Sequence, residues 1–389
     1  MSILLFIISA VFVIGYISVL IYFLWIWIDM PGVDSFLKMN PGRYASSTSR
    51  YVSIIIPVRN EEKNIGLLLK DLAHQSFPKD RMEILIINDN STDQTAYIVK
   101  QFINQNSDLS IKIIDLVVEG EIMSYKKKAI ELGIAHAKGE IIVTTDGDCR
   151  VNHHWIQSIC SFMRDKNAFF VSGPVQYIVQ KNLVYYLQQI ELAALILVGA
   201  VCMKKKIPSM CNGANMAYLK SIFKDVEGYK HVDQTPSGDD EFLMHKILKK
   251  YPDHVFFLKD TQAIVSTYPH YSFQSFIHQR KRWAGKWRLY QDARTKWIGL
   301  ATFTINLLFV MSVVFYIGHY LSLIQISCLW GSKLLIENRV SYYALRFFSK
   351  RNNFFVTALF SLLYPFYIIV LGVLINFGTF DWKGRTLST

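Results

Sequence analysis

The sequence predicts an α/β protein, a mostly parallel sheet with helices on both faces, carried between apolar helices at the two ends of the chain. Three observations predict it. From Tyr51 onward, short β-branched apolar runs alternate with amphipathic stretches, the pattern of strands joined by crossover helices. Several of these runs end on an acid or an amide, where open α/β sheets gather ligand-binding groups. Hydrophobic residues make up 51% of the 389, and the excess sits at the two ends rather than being evenly spread.

The N-terminal run from Ile3 to Ile28 carries no charge and exceeds the ~20 residues that span a bilayer. No Lys or Arg precedes it, unlike a signal peptide. Trp25 and Trp27 mark its far end as interfacial, and Lys38, Arg43 and Arg50 follow. The positive-inside rule then places the N-terminus outside and the next segment in the cytoplasm. Residues 1–30 are therefore expected to be a membrane helix. Residues 31–50 are a linker broken by Pro31-Gly32, Pro41-Gly42 and the Ser46–Ser49 tract.

Val52–Pro57 is the first buried strand, and Asn60-Glu61-Glu62 is expected to open the helix through Leu72. Glu83–Asp89 is a second strand, with Ser91-Thr92-Asp93 capping a helix over Ala96–Phe102. Ile111–Ile114 is a third strand, Lys126–Ala137 a helix, and Ile141–Thr145 a fourth strand that runs into Asp146-Gly147-Asp148. Phe169–Gly173 continues the strand pattern. The apolar stretch Leu192–Met203 is short for a span and reads as a buried or interfacial helix. Cys211–Ala217 reads as a tight loop lining a site. The soluble part closes near residue 296, after the amphipathic stretch His270–Trp287, in which Phe273, Phe276, Ile277 and Arg280 share one face. Such a helix suits a membrane surface. Residues 297–378 carry about three further spans, two within 298–336 and one over 354–377, with Glu337–Asn353 as a basic cytoplasmic loop. That count leaves the tail, 379–389, outside, whereas Lys383 and Arg385 favour the inside.

The net charge of +12 implies a basic surface suited to lipid heads, phosphates or nucleic acid. No nucleic-acid-binding motif accompanies it, and a nucleotide and a membrane are the partners expected. The five cysteines form no zinc or disulfide spacing and suit a reducing compartment. No Gly-X-Gly-X-X-Gly follows the first strand and no Gly-Lys-Ser/Thr loop occurs, which disfavours a dinucleotide dehydrogenase and a P-loop hydrolase.

The chemistry points to four places. Asp146 and Asp148, one residue apart at a strand's carboxyl end, suit a hard divalent cation that in turn holds a diphosphate. Taken alone the triplet is equally an ordinary turn in which Gly147 frees the backbone. Asp89 suits a base or ribose hydroxyl, and Lys126 or Lys127 a phosphate. Asp240, within Ser237-Gly238-Asp239-Asp240-Glu241, either caps a helix or takes a proton from an attacking hydroxyl. Gln279, Arg282 and Trp283 offer an amide, a guanidinium fork and a flat aromatic for a phosphate and a sugar face.

Taken in order, these residues resemble the family-2 glycosyltransferases, inverting enzymes of the GT-A fold. Pro57-Val58-Arg59-Asn60-Glu61 is similar to that family's opening Pro-X-X-Asn-Glu. Asn88-Asp89-Asn90-Ser91-Thr92-Asp93 is similar to its Asp-Asp-X-Ser-X-Asp element, with Asn88 in place of the first acid. Lys126-Lys127 followed by Gly133 resembles a Gly-Lys helix, with Tyr125 where glycine is usual. Asp146-Gly147-Asp148 matches the metal motif, Asp239-Asp240 stands at the base, and Gln279–Trp283 matches Gln-X-X-Arg-Trp. The resemblance covers roughly residues 51–290. It implies a UDP- or GDP-sugar donor with Mg²⁺ or Mn²⁺. Pro57, Arg59, Glu61 and Asp89 would hold the nucleoside, with Lys126 nearby. Asp146 would lie near ribose or metal and Asp148 on the metal. Asp240 would be the base, Gln279 and Arg282 would assist departure of the diphosphate, and Trp283 would flank the acceptor. The activity implied is sugar transfer to a lipid or lipid-linked glycan at the cytoplasmic face of a multi-pass cell-membrane protein, in cell-envelope glycan biosynthesis. A processive polysaccharide synthase is the alternative, and a non-catalytic nucleotide-sugar-binding membrane scaffold a further one.

Overall fold

A computed structural model describes residues 2–32, 50–117, 124–233, 235, 237–375, 379–382 and 385–388. The linker features Lys38, Arg43, Pro41-Gly42 and Ser46–Ser49, and Lys383 of the tail, lie outside the described residues.

Helix α1 (Ser2–Asp29) turns much of its apolar surface outward, with Ile3, Val11 and Trp25 exposed. Its carboxyl end is tied to the rest of the protein. Lys259 donates to the carbonyls of Trp27 and Met30 (2.9 Å to the latter), filling helix-end acceptors that would otherwise lack donors. Trp27 packs edge-on against Phe347, ring centroids 5.4 Å apart.

The central sheet has seven strands. In chain order its first four are β1 (Val52–Val58), β2 (Met82–Asn88), β3 (Ser110–Asp115) and β4 (Ile141–Thr144). They are parallel, and they alternate with α2 (Ile65–Ala73), α3 (Thr95–Gln105) and α4 (Tyr125–His136). Then come β5 (Arg150–Val151), α5 (Trp155–Lys166), β6 (Phe170–Ser172), β7 (Val175–Tyr177), α6 (Leu183–Lys204), β8 (Met216–Leu219), α7 (Lys220–Asp225), α8 (Glu241–Lys250), β9 (Val255–Phe257) and β10 (Val265–Thr267). The sheet order is β3-β2-β1-β4-β8-β6-β9, with β8 antiparallel to both of its neighbours, and β5-β10-β7 form a small second sheet. The sheet is therefore mostly parallel, as the alternation predicts.

β1, β2 and β4 are largely apolar because both faces are covered, and the buried Ser53 and Glu83 that interrupt them pair with each other. Ile54, Ile56, Ile84, Ile86, Ile141 and Val143 face one core, with α2 and α5. Ile55, Leu85, Ile87 and Ile142 face the other, with α4, α6 and α8. The two-residue period of a strand sorts them.

The amphipathic helix α9 (Phe273–Gly285) leads to α10 (Ala293–Ile317), α11 (Leu323–Phe347) and α12 (Phe354–Leu374), and the tail pairs β11 (Thr379–Trp382) with β12 (Arg385–Ser388). Among the described residues, four helices are long and apolar enough to cross a membrane: α1, α6, α10 and α12. Helix α6 is buried, as expected, but longer than expected. The apolar stretch Leu192–Met203 belongs to a 22-residue helix, α6, and 72% of its apolar window is buried inside the protein. Helix α11 differs too. Glu337–Asn353 is not a loop: the helix continues to Phe347, because Lys333 pairs with Glu337 one turn on, and Val340, Ala344 and Leu345 carry the apolar face onward into the core. Tyr16 of α1 donates to the same Glu337 at 2.5 Å, and Lys333 donates to Ser361 O of α12 at 3.0 Å. Two charges thus cross-link three helices through one carboxylate oxygen of Glu337.

Candidate active site

The loops after β1 and β2 differ from the helix starts expected of them. Asn60 is left-handed (φ 53°) and α2 begins only at Ile65. The polar residues instead stitch the two neighbouring strand ends together. Asn60 N donates to Ser91 Oγ (3.1 Å), Thr92 N to Asn60 Oδ1 (2.8 Å), Glu61 N to Thr95 Oγ1 (2.7 Å), and Gln94 N to Glu62 Oε2 (3.0 Å). Arg59 closes the same edge, donating to Asp89 O at 2.9 Å. Asn88 donates to Asp115 Oδ1 at 2.7 Å, at the end of the adjacent strand. An acid at position 88 would face that carboxylate, which accounts for an amide in this place.

At the end of β4, Thr144 Oγ1 donates to Gly213 O (2.9 Å) and draws the Cys211–Ala214 loop onto the strand end. Gly147 is present for space rather than for turning. It has no positive φ, and a Cβ there would lie 2.9 Å from Val58 Cγ1 and 3.1 Å from Glu61 Cγ. Asp146 Oδ1 stands 2.7 Å from Lys126 Nζ, which also stands 3.3 Å from Asp239 Oδ2. One ammonium thus joins the strand-end acid to the acids that open α8. Burial alone would lower the pKa of Lys126, but Asp146, Asp239 and Asp240 outweigh it and raise it. Asp148 Oδ2 accepts from Thr267 Oγ1 at 3.3 Å.

Asp240 caps α8 and faces the same space. Its two oxygens accept from Glu241 N (2.8 Å) and Gly213 N (3.0 Å). Burial opposes its ionisation, yet Lys286, Lys126 and these two N–H groups hold its carboxyl below the usual carboxylate range. Burial raises Asp239; Lys126 opposes this, and Asp240 and Asp146 reinforce it. The pair is thereby split into a carboxylate and a more readily protonated neighbour.

The fourth group comes from α9. Arg280 is buried and reaches Glu191 of α6, with Nη2 2.5 Å and Nε 3.0 Å from Oε2. It also lies over the rings of Phe276 and Trp283, at 4.8 and 4.3 Å. This anchoring fixes the helix that carries Gln279, Arg282 and Trp283. A single cavity of about 1860 Å³ is lined by Pro57, Arg59, Asp89, Lys126, Asp146, Asp148, Asp240, Gln279, Arg282 and Trp283. It continues between membrane-type helices, past Val11, Phe12 and Val19 of α1, Leu300 and Phe303 of α10, and Tyr364 and Leu371 of α12.

Two expected residues behave otherwise. Glu61 does not line the cavity; it is buried behind it, accepting from Asn64 Nδ2 at 3.0 Å. Lys127 turns away from any phosphate and donates to Val232 O and to Thr235 O (2.9 Å). Sequence reasoning also missed several groups. Lys286, buried, pairs with Glu241 Oε2 at 2.8 Å, and Tyr290 donates to the same oxygen at 2.7 Å. His270 lines the cavity, and burial with Arg280 and Arg282 pushes it down to about 4, so it is neutral at pH 7. Glu191 carried one signal: a lone acid inside an apolar helix needs a buried cationic partner.

Among the described residues, no group of three or more His, Cys, Asp or Glu side chains forms a metal cage. Asp146 and Asp148 supply two carboxylates, with the cation of Lys126 already on Asp146. That set fits an ion which takes one or two carboxylates and completes its shell with diphosphate oxygens and water, as Mg²⁺ does.

Comparison with known proteins bears on the family and the fold. The glycosyl transferase family 2 model matches residues 53–227, and the glycosyl transferase family group 2 model matches residues 141–378, more than half of the chain. The glycosyltransferase AglE of Haloferax volcanii is 32% identical over 132 residues, 34% of this chain and 41% of that protein. The probable glycosyltransferase YdaM of Bacillus subtilis is 28% identical over 237 residues, 60% of this chain and 54% of its own length. The chain thus spans about half the length of these curated relatives. Among solved structures, the mannosyltransferase PcManGT from Pyrobaculum calidifontis, in complex with GDP-Man and Mn²⁺, aligns over 96% of both chains at a TM-score of 0.52 and 16% identity, a likeness of fold. The chain belongs to the glycosyl transferase family group 2.

Proposed function

We propose that the protein is a membrane-anchored inverting glycosyltransferase that moves a sugar from a nucleotide-sugar donor to a lipid or lipid-linked glycan, with its catalytic domain, residues 51–296, in the cytoplasm. The observation that carries this reading is the shared cavity. Asp146, Asp148 and Asp240 line one space whose far wall is the apolar faces of α1, α10 and α12.

In this reading the nucleoside lies against Pro57, Arg59 and Asp89, on the edge fixed by the Arg59 contact to Asp89 O. The diphosphate lies near Asp146 and Asp148. A divalent Mg²⁺ or Mn²⁺ held there by Asp148 and Asp146 would offset the charge of the departing diphosphate. Arg282 and Gln279 approach from the other wall and add a guanidinium and an amide. Asp240, ionised and held by two backbone N–H groups, takes the proton of the acceptor hydroxyl. The hydroxyl oxygen bonds to the anomeric carbon, the bond from that carbon to the diphosphate oxygen breaks, and the nucleoside diphosphate leaves with the electron pair. One displacement inverts the configuration, and no carboxylate nucleophile is required. Trp283 flanks the acceptor, which reaches the site from the membrane side.

The test is purified protein in lipid nanodiscs with Mn²⁺, a panel of UDP- and GDP-sugars and a membrane-lipid extract, read by mass analysis and by the anomeric configuration of the product. One sugar added with inverted configuration is expected. A retained configuration contradicts the single displacement, long polymers favour a processive synthase, and donor binding without turnover favours a scaffold.

A further inference from the structure

The two acids Asp239 and Asp240 sit in a turn that another part of the chain brackets from both sides. Gly238, on one flank, has φ +81° and leaves no room for a side chain: a Cβ would lie 2.6 Å from Phe242 and 3.2 Å from Cδ of Lys286. The stem of Lys286 therefore lies against Gly238. On the other flank, Lys286 Nζ reaches Glu241 Oε2 at 2.8 Å, and Tyr290 donates to the same oxygen at 2.7 Å. Both charged side chains are more than nine-tenths buried, 7% and 9% exposed. Glu241 is more than a neighbour of Asp240, because its backbone N–H is one of the two donors that orient the Asp240 carboxylate. A side chain that holds Glu241 thus holds the amide that aims Asp240. Lys286 follows directly on α9 and Tyr290 lies one short turn later, and Arg280, in the same helix, holds it on Glu191.

We propose that Lys286, with Tyr290, is a positioning residue that aims the acid at 240 by locking Glu241, and so couples the placement of the helix carrying Gln279, Arg282 and Trp283 to that of the proton acceptor. This rests on the transferase reading above. Breaking the lock leaves the nucleotide edge untouched, since Pro57, Arg59 and Asp89 belong to other loops, and loosens the geometry of attack. Small displacements of a reacting group have large rate effects, on the order of 100-fold for about 1 Å.

The experiment compares Lys286→Met, Lys286→Arg and Tyr290→Phe with wild type in nanodiscs, measuring transfer kcat, donor KM and thermal midpoint. A Glu241→Gln variant is added in case Lys286→Met does not fold. Expected are a fall in kcat on the order of 100-fold for Lys286→Met with donor KM within about twofold, recovery to within about tenfold by Lys286→Arg, and a smaller fall for Tyr290→Phe. A folded Lys286→Met, or failing that Glu241→Gln, with kcat within about threefold of wild type overturns the proposal, as does a loss carried entirely by donor KM. Asp240→Asn in parallel separates the two levels. If it is inactive while Lys286→Met is fully active, only the positioning role fails; if it is itself fully active, the base assignment fails.

Discussion

Replacing Glu191 by Gln tests how the helix bearing Gln279, Arg282 and Trp283 is held. The carboxylate and Arg280 are 7% and 3% exposed, and the two share contacts of 2.5 and 3.0 Å. Removing one charge leaves the other buried without its counterion, a change that costs about 3–5 kcal/mol. Glutamine keeps one acceptor for the guanidinium, and the stacking of Arg280 on Phe276 and Trp283 remains, so the low end, about 3 kcal/mol, is expected. In a chain of this size that corresponds to a drop in thermal midpoint of roughly 4 °C. The assay is thermal unfolding in detergent, followed by intrinsic fluorescence, with the transfer rate measured beside it. Transfer should fall more than donor binding, because Arg282 and Trp283 follow Arg280. The double variant Glu191→Leu/Arg280→Met should regain most of the stability, since a well-packed apolar pair replaces a buried ionic one at little cost. A single variant that unfolds within about 1 °C of wild type with an unchanged rate would refute the reasoning.

Three further outcomes follow from the same structure. Gly147→Ala places a Cβ 2.9 Å from the buried Val58 and 3.1 Å from the buried Glu61, neither with room to give; it should cost about 1–3 kcal/mol and raise donor KM roughly tenfold, as donor titrations will show. With only Asp146 and Asp148 as carboxylates and no third ligand among the described residues, Mn²⁺ should bind weakly alone and at least about tenfold more tightly with UDP or GDP, measured by calorimetry, and a chelator should abolish transfer. Burial lowers Lys127 to about 8, below the ~10.4 of an unfolded lysine, so between those values the unfolded chain holds the extra proton and stability rises with pH. Lys127→Met should flatten that rise in denaturant titrations from pH 7.5 to 10.5; an unchanged slope would contradict the assignment.

Much of the frame is legible in the residues. The strands at Val52, Met82 and Ile141 are apolar on both faces but for Ser53 and Glu83, so their burial is written in nearly continuous runs, and Asp146 and Asp148 stand where such a strand must end. What escapes is whatever depends on partners far apart in the chain. Arg280 and Glu191 lie 89 residues apart, and nothing local to either names the other. Lys286 looks like one more cation in a basic stretch until the fold brings it to Glu241. Asn60, Glu61 and Glu62 have the composition of a helix start, yet their hydrogen-bonding groups are engaged by the loop after the neighbouring strand, and the helix begins later. In α11 the basic residues Arg339 and Arg346 suggest a cytoplasmic loop, and only the pairing of Lys333 with Glu337 four residues on, with Tyr16 on the glutamate, accounts for a helix that runs on.

The most direct measurement is sugar transfer and donor binding by Asp240→Asn in the same preparation. Asparagine keeps one oxygen for one of the N–H groups of Glu241 and Gly213, turns its amide nitrogen to the other, and cannot accept the acceptor's proton. Transfer should fall by about 100-fold or more while the donor dissociation constant stays within about twofold. Undiminished transfer by a folded Asp240→Asn would contradict the assignment of this carboxylate as the base.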